Sequence, residues 1–241
     1  MKEQTTTEKL FEHYNTYTGR STVENSDSQK KIFRYLQRIL NPWLPINYST
    51  NILDIGCGEG ALLAFLKHKG YVNLSGFDIS SENVSICHRL GFSFVEQCDV
   101  LKLREYPITE QFDVIFALDI IEHLPKQAAA EFLEQIHKRL NSGGYVVIQT
   151  PNMGSLLASI SRYGDLSHEF GLTEGTARNL LIISGFAADK IEIKPSWNAS
   201  TVAGYMREAY LSFLHKMIYL TEGTGRPKIP TKNILIRAFK S

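Results

Sequence analysis

The stretch that most constrains this chain is Asn51-Ile-Leu-Asp-Ile-Gly-Cys-Gly-Glu-Gly60, followed by Ala61-Leu-Leu-Ala-Phe-Leu. Ile52 to Ile55 is a short apolar run of the kind that forms a buried strand. Gly56, Gly58 and Gly60 make a turn that no side chain obstructs, and the residues from Ala61 to Lys69 predict a helix stopped by Gly70. Strand, glycine turn and helix in succession is how α/β proteins offer free backbone N–H groups to a nucleotide-like ligand.

Two ligand classes fit this unit. Gly56-x-Gly58-x-x-Ala61 satisfies the dinucleotide fingerprint, which accepts alanine at its third position. Asp54, two residues before the first glycine, separates the two. A carboxylate there repels a pyrophosphate and attracts an ammonium or a sulfonium. S-adenosylmethionine carries both cations and no phosphate, so the reading leans to a methyl donor, with a nicotinamide dehydrogenase as the alternative from another class.

Further acids follow later strands. Tyr71-Val-Asn-Leu-Ser-Gly-Phe-Asp78 ends in an acid 18 residues past Gly60, placed with Ile79 to hold ribose hydroxyls. A third strand is expected from Phe92 to Glu96, and behind it Asp99 with Val100 can frame an adenine. A fourth, Phe112 to Leu118, runs into Asp119-Ile-Ile-Glu122-His123. Asp54, Gly56, Cys57, Gly58, Asp78, Ile79, Asp99, Val100, Leu118 and Asp119 are therefore the candidate donor-binding residues. Stations of this type in this order resemble the class I S-adenosylmethionine-dependent methyltransferases over roughly residues 50 to 195. The resemblance implies a Rossmann-like, seven-stranded, mostly parallel α/β sheet with helices on both faces and a final strand entering antiparallel. S-adenosyl-L-methionine is the cofactor it implies.

Composition narrows the partners. With 26 basic and 25 acidic residues the formal net charge is +1, so no strong field draws the chain to nucleic acid or anionic lipid. Cys57, Cys87 and Cys98 form no CxxC pair and read as reduced thiols. No apolar leader opens the sequence and no run approaches a membrane span, so a cytoplasmic protein without integral membrane association is expected.

Around this centre the chain divides into residues 1–27 and a methyltransferase domain over 28–241, with a donor half at about 50–150 and acceptor-side elements at about 151–232. Phe11, Tyr14 and Tyr17 suggest a lid over the sulfonium, or else a flexible segment. Ser28 to Leu40 presents Ile32, Phe33, Leu36, Ile39 and Leu40 on one face of an N-terminal helical cap. Lys126 to Leu140 is a further amphipathic helix, and Tyr145 to Thr150 the fifth strand. A long connection, Pro151 to Leu172, holds one short helical stretch at Ser155 to Ser161, and connections this long are usually functional. Val202 to Leu220 carries an apolar stripe (Val202, Met206, Ala209, Phe213, Met217, Leu220) and is read as a C-terminal helical addition that closes over the substrate side or packs on the core.

Methyl transfer to an alcohol requires loss of the hydroxyl proton, and histidine is the natural base near neutrality. His123, after the fourth strand, and His168, on the long connection, are the candidate catalytic residues. Asp119, Glu122 and His123, at i, i+3 and i+4, also read as a metal half-site that His168 could complete. That arrangement resembles, with Asp119 in place of a glutamate, the Glu-x-x-Glu-His pattern of small-RNA 3′-end methyltransferases and some ubiquinone-pathway O-methyltransferases. Direct base catalysis is the preferred reading, so no metal is assigned. Tyr163-Gly-Asp-Leu-Ser-His168, Leu172-Thr-Glu-Gly, Leu180-Leu and Gly185-Phe186, with Pro227-Lys228 and Thr231-Lys-Asn-Ile-Leu-Ile, resemble bacterial methyltransferases of cell-surface polysaccharide and glycan synthesis. This second resemblance implies a small-molecule or glycan acceptor with a sugar-type hydroxyl. A small phenolic or quinone-like acceptor and a non-catalytic S-adenosylmethionine-binding module are the alternatives, and the oligomeric state stays open.

Overall fold

The computed structural model describes residues 26–106, 111–199, 201–222 and 229–241. The expected lid over 1–27, with Phe11, Tyr14 and Tyr17, lies outside them except for its last two residues, which open a helix. That helix, α1 (Ser26–Leu40), is followed by β1 (Ile52–Ile55), α2 (Ala61–Lys69), β2 (Leu74–Asp78), α3 (Ser81–Arg89), β3 (Val95–Gln97) and β4 (Phe112–Leu118). Then come α4 (Lys126–Arg139), β5 (Leu140–Pro151), α5 (Ala158–Tyr163), α6 (Glu174–Ile183), β6 (Ile191–Pro195), α7 (Val202–Glu222) and β7 (Asn233–Phe239).

The strands form one sheet in the order β3-β2-β1-β4-β5-β7-β6. Neighbours from β3 to β5 are parallel, and β7 alone runs against both of its partners. Strand order reverses between β1 and β4, so the loops leaving these two strands diverge and open a crevice at their carboxyl ends. Alternation along the strands feeds two cores. Leu53, Ile55, Ile115, Ala117, Val146 and Ile148 pack with Phe132, Leu133 and Ile136 of α4 on one face. Ile52, Val114, Phe116 and Val147 pack with Leu36, Leu40, Phe65 and Leu66 of α1 and α2 on the other. A smaller cluster of Cys57, Leu63, Cys87, Phe92 and Val95 lies under the glycine turn.

Several boundaries differ from the sequence reading for local reasons. Phe92 is not in a strand but faces the third cluster, and its carbonyl accepts Val95 N–H at 3.1 Å, so β3 starts at Val95. β5 begins at Leu140 because Leu140 already pairs with Phe112, while Gly143 turns the backbone at φ +76° ahead of Tyr145. The short helix of the long connection sits at Ala158–Tyr163, later than the expected Ser155–Ser161.

The larger correction is α7. Its expected core stripe is the face left outside: Val202, Met206, Phe213 and Leu220 are 78, 69, 57 and 72% exposed. The helix is anchored instead by polar contacts. Glu208 is buried, accepts Ala199 N–H and pairs with Arg38 of α1 at 3.4 Å, and Tyr219 donates to the Gly154 carbonyl at 2.9 Å. A buried carboxylate needs such partners, and here the need outweighs the pull of the apolar stripe.

Candidate functional site

The glycine turn lies at the carboxyl ends of β1 and β2, and its amides are used internally. Gly56 and Cys57 N–H both donate to the Phe77 carbonyl, at 2.7 and 3.0 Å. Gly58 N–H donates to Asp78 Oδ2 at 2.7 Å. The register of β1 on β2, Ile55 beside Phe77, puts Asp78 within reach of the turn. The expectation that this turn leaves its N–H groups free for a ligand is therefore corrected for these three amides. Asp78 answers the positive end of the turn, and no place is left there for a pyrophosphate.

The glycines differ in what surrounds them. A Cβ on Gly56, at φ +69°, would lie 2.0 Å from Ile120 Cδ1, whereas one on Gly58, at φ +54°, would meet nothing within 4 Å. Gly56 is required by the side chain leaning over it; Gly58 borders open space at the mouth of the crevice.

The acids at the strand ends have different settings. Asp54 is buried within β1, and burial, with the Asp78 carboxylate beside it, pushes its carboxyl well above the usual range. Asp78 is also raised by burial, and the bonds it accepts from Ser80 N, Asn83 Nδ2 and Gly58 N act in the opposite direction. Ile79 follows Asp78, and its carbonyl accepts Gln97 Nε2 at 3.0 Å. Asp99 caps the short 3₁₀ turn from Val100 to Glu105, accepting Leu101 N–H at 2.9 Å and facing Lys102 at 3.6 Å. Leu118 ends β4, half-buried. Asp119 is the single non-glycine residue with positive φ, +55°, among those described. Gln149 of β5 holds it twice: Asp119 N–H donates to the Gln149 carbonyl at 2.9 Å, and Gln149 Nε2 donates to Asp119 Oδ2 at 2.9 Å. Two bonds of this kind outweigh the roughly 1–3 kcal/mol such a backbone costs.

Beyond Asp119 the chain makes a 3₁₀ turn, Ile121–His123, and three groups converge. Glu122, His123 and His168 each bring one ligand-capable atom within 4.8 Å of the others. The two imidazoles pack edge to face with centroids 4.7 Å apart. Asp119 is not in this cluster, because its left-handed backbone precedes the turn and its carboxylate takes the Gln149 amide. The half-site expected from Asp119, Glu122 and His123 on one helical face is corrected accordingly.

The long connection after β5 is held against Glu122. Glu169 N–H donates to the Glu122 carbonyl at 2.8 Å, and the Arg162 guanidinium clasps the carbonyls of His168 and Glu169. Both histidine tautomers follow from their contacts. Ser167 Oγ donates its hydrogen to Asp165, so its 2.9 Å contact with His123 Nδ1 is one in which the imidazole donates. His168 Nδ1 lies 2.7 Å from the Ser161 carbonyl, which can only accept. In both rings Nε2 is therefore the basic nitrogen. Burial, with His168 as a second cause, lowers His123 to about 4. Burial, then Asp119, raises the Glu122 carboxyl well above its usual range, against the 3.0 Å bond from Thr150 Oγ1.

Three polar residues of this region are given no role in the sequence reading. Gln149 is buried, accepts Tyr35 OH at 2.6 Å and Ser196 Oγ at 3.2 Å, and joins α1 to Asp119. Thr150 holds Glu122, and Ser167 fixes His123. Gln149 and Thr150 stand out in Tyr145-Val-Val-Ile-Gln-Thr150 as polar residues in an apolar strand, a signal that each needs a buried partner. Ser167 lies within the Tyr163–His168 motif, but its bond to His123 is not legible there.

Comparison with known proteins bears on this architecture. The tRNA U34 carboxymethyltransferase of Shewanella sediminis is 26% identical over 166 residues, covering 66% of this chain and 48% of that protein. The ubiquinone biosynthesis O-methyltransferase of Psychrobacter cryohalolentis is 30% identical over 111 residues, covering 42% of this chain and 40% of that protein. The chain thus spans about half or less of the length of these curated relatives. Among solved structures, a SAM-dependent methyltransferase from Archaeoglobus fulgidus superposes with a TM-score of 0.67 at 23% identity, covering 93% of this chain and 99% of that one. The family model described as a methyltransferase domain matches residues 25–183. The chain belongs to that methyltransferase family, and it has a Rossmann-like fold.

Proposed function

We propose that the enzyme methylates a hydroxyl oxygen of a sugar or glycan precursor and that His168 accepts the hydroxyl proton. The observation that carries this reading is the pairing of His123 and His168, both with Nδ1 committed, beside buried Glu122. The donor supplies an electrophilic methyl group on a sulfonium. Asp54 would offset its charge, the open side of Gly58 would admit its backbone, and Asp78 with Ile79 would meet the ribose. Val100 and Asp99 would border the base, while Cys57 packs beneath the turn. Leu118 and Asp119 would bound the crevice toward the acceptor. An in-line displacement then needs alignment and removal of one proton. His123, lowered to about 4, is a poor base, and its place is to keep a neutral ring against His168. His168 is half-buried, with its Nδ1–H anchored on Ser161.

Support for the sugar-type acceptor is the resemblance of Tyr163–His168, Leu172-Thr-Glu-Gly, Leu180-Leu and Gly185-Phe186, with the C-terminal strand, to glycan methyltransferases. The ubiquinone-pathway relative favours a phenolic acceptor instead, and turnover of simple phenols but not of sugars would establish that alternative. A second reading of the same cluster is a divalent cation on Glu122, His123 and His168. Imidazole nitrogens braced through Nδ1 by Ser167 and Ser161, together with a carboxylate, are a fitting donor set. Such an ion would supply acidification of the hydroxyl. Steady-state turnover with and without EDTA separates the readings. Proton removal by His168 alone predicts activity untouched by chelator and a 10²–10⁴-fold loss in His168→Ala. Loss on chelation, restored by added metal, would replace it with the metal reading. Full activity of His168→Ala in chelator would refute both.

A further inference from the structure

Helix α1 reaches the carboxyl-end half of β5 through the Tyr35–Gln149 bond, and its charge is one-sided. Along Ser26–Leu40 it carries Lys30, Lys31, Arg34 and Arg38 against a single acid, Asp27, although the chain as a whole is nearly balanced at +1. Asp27 pairs with Lys30 at 3.5 Å, and Glu208 pairs with Arg38 at 3.4 Å. Lys31 and Arg34 are in no ion pair among the described residues. They stand at i and i+3, on one face of the helix, and line a cavity of about 510 Å³ together with Ile32, Tyr35 and Asn198. Arg207 of α7 reaches the same wall, donating to Asn198 Oδ1 at 3.5 Å.

This cavity connects with the chemistry through Tyr35. The phenol lines the cavity and donates to Gln149, and the Gln149 amide holds Asp119 at the end of β4. The Asp119 carboxylate lies near enough to help burial push the phenol up to about 12. Two cations thus share the cavity wall with Tyr35, whose hydroxyl is tied through Gln149 to Asp119. A molecule that fills the cavity places an anionic group against the cations and its uncharged hydroxyls toward Tyr35.

We propose that the acceptor carries a phosphate or diphosphate, bound by Lys31 and Arg34 in the α1 cavity while its sugar hydroxyl faces the His168 side of the crevice. The inference rests on reading that cluster as the acceptor site. Arg34 suits the role because a guanidinium presents a fork of N–H donors to phosphate oxygens, and among the described residues the one bond it makes is Nε–H to the Lys30 carbonyl, at 3.3 Å. Exposed cations are ordinarily solvated and hold little on their own. A concave wall shared by two cations with no acid between them is what makes this pair selective for a multiply charged anion.

Binding of inorganic pyrophosphate by isothermal calorimetry, with sulfate at matched ionic strength as the reference, tests this on the full chain. Saturable binding at least tenfold tighter than sulfate is expected. It should weaken at least tenfold in Lys31→Met/Arg34→Met and stay unchanged in Lys138→Met/Lys190→Met, which removes equal charge elsewhere. S-adenosylhomocysteine binding should be the same in all three proteins, showing that each is folded. Pyrophosphate no tighter than sulfate, or equal weakening in both double variants, overturns the inference, and the proposed O-methylation of an uncharged sugar would survive that result. Conversely, tight pyrophosphate binding without methyl transfer to any phosphorylated sugar would leave the anion site standing and remove the acceptor reading. A single-stranded RNA that binds through the same two residues when pyrophosphate does not would assign the surface to nucleic acid, and the inference would be wrong.

Discussion

Gly56 and Gly58 are two residues apart, both left-handed, yet alanine should fail differently at each. At Gly58 the new Cβ meets nothing within 4 Å. The cost to the fold is then only backbone strain, about 1–2 kcal/mol for an L-residue in this region, partly offset by about 0.4–1 kcal/mol from the stiffer unfolded chain. A net loss of about 1 kcal/mol lowers Tm by roughly 2–4 °C in a domain of this size. At Gly56 the Cβ would lie 2.0 Å from Ile120 Cδ1 and 2.6 Å from Cγ1. Displacing that buttress adds an overpacking cost of about 1–3 kcal/mol to the same strain, so the loss should be about 2–5 kcal/mol.

Donor binding should follow a different order. If the open side of Gly58 is where the donor's backbone passes, a methyl group there excludes it, and Gly58→Ala should bind S-adenosylhomocysteine at least tenfold more weakly, about 1.4 kcal/mol. Thermal melts and calorimetric titration of both variants provide the check. A Gly58→Ala protein that melts within a few degrees of wild type and binds the donor product with unchanged Kd would refute the placement of the donor over this turn. One that does not fold would refute the strain argument.

Asp78→Asn should weaken donor binding and also cost stability, about 1–3 kcal/mol, because the carboxylate accepts from Gly58 N, Ser80 N and Asn83 Nδ2, and an amide cannot accept on both of its atoms; chemical denaturation and calorimetry on the same preparation measure both losses. His123 should impose a pH slope on stability: its folded pKa of about 4 is below the unfolded 6.5, so the unfolded chain binds the extra proton, and the stability present above pH 6.5 is lost as pH falls toward 4. The loss is on the order of 3–4 kcal/mol at most. Because buried Glu122 and Asp54 act with the opposite sign, the quantity to measure is the wild-type slope minus that of His123→Gln, and equal slopes would contradict the assignment.

The sequence made the donor half legible because its constraints are local. The three glycines, the apolar Ile52–Ile55 run and an acid at the end of each following strand are properties of short segments, and the parallel register then brings them to one end of the sheet. What escaped depends on contacts between distant segments. Tyr35 and Gln149 are 114 positions apart, and His123 and Ser167 are 44 apart. Asp99, expected to frame an adenine, serves as the cap of its own turn, a local role that any such acid can take. The stripe of α7 misled because periodicity tells which residues share a face, and a buried Glu208 decided which face turned inward.

The two buried members of the cluster invert the usual order of acid and base. Burial raises Glu122 and lowers His123, so each is displaced toward its neutral form, the reverse of a solvated carboxylate and imidazolium pair. Thr150 fits either state, since its hydroxyl donates to Glu122 Oε2. A neutral pair avoids the cost of burying two charges, and it also fixes what each reading of the site must do. Proton acceptance from a hydroxyl falls to His168, the more accessible ring, with His123 kept from competing. A cation at Glu122, His123 and His168 would instead have to expel the Glu122 proton before the carboxylate could ligate. Metal uptake would then strengthen as pH rises, because the raised Glu122 carboxyl must ionise to ligate, whereas base catalysis by His168 makes no such demand on Glu122.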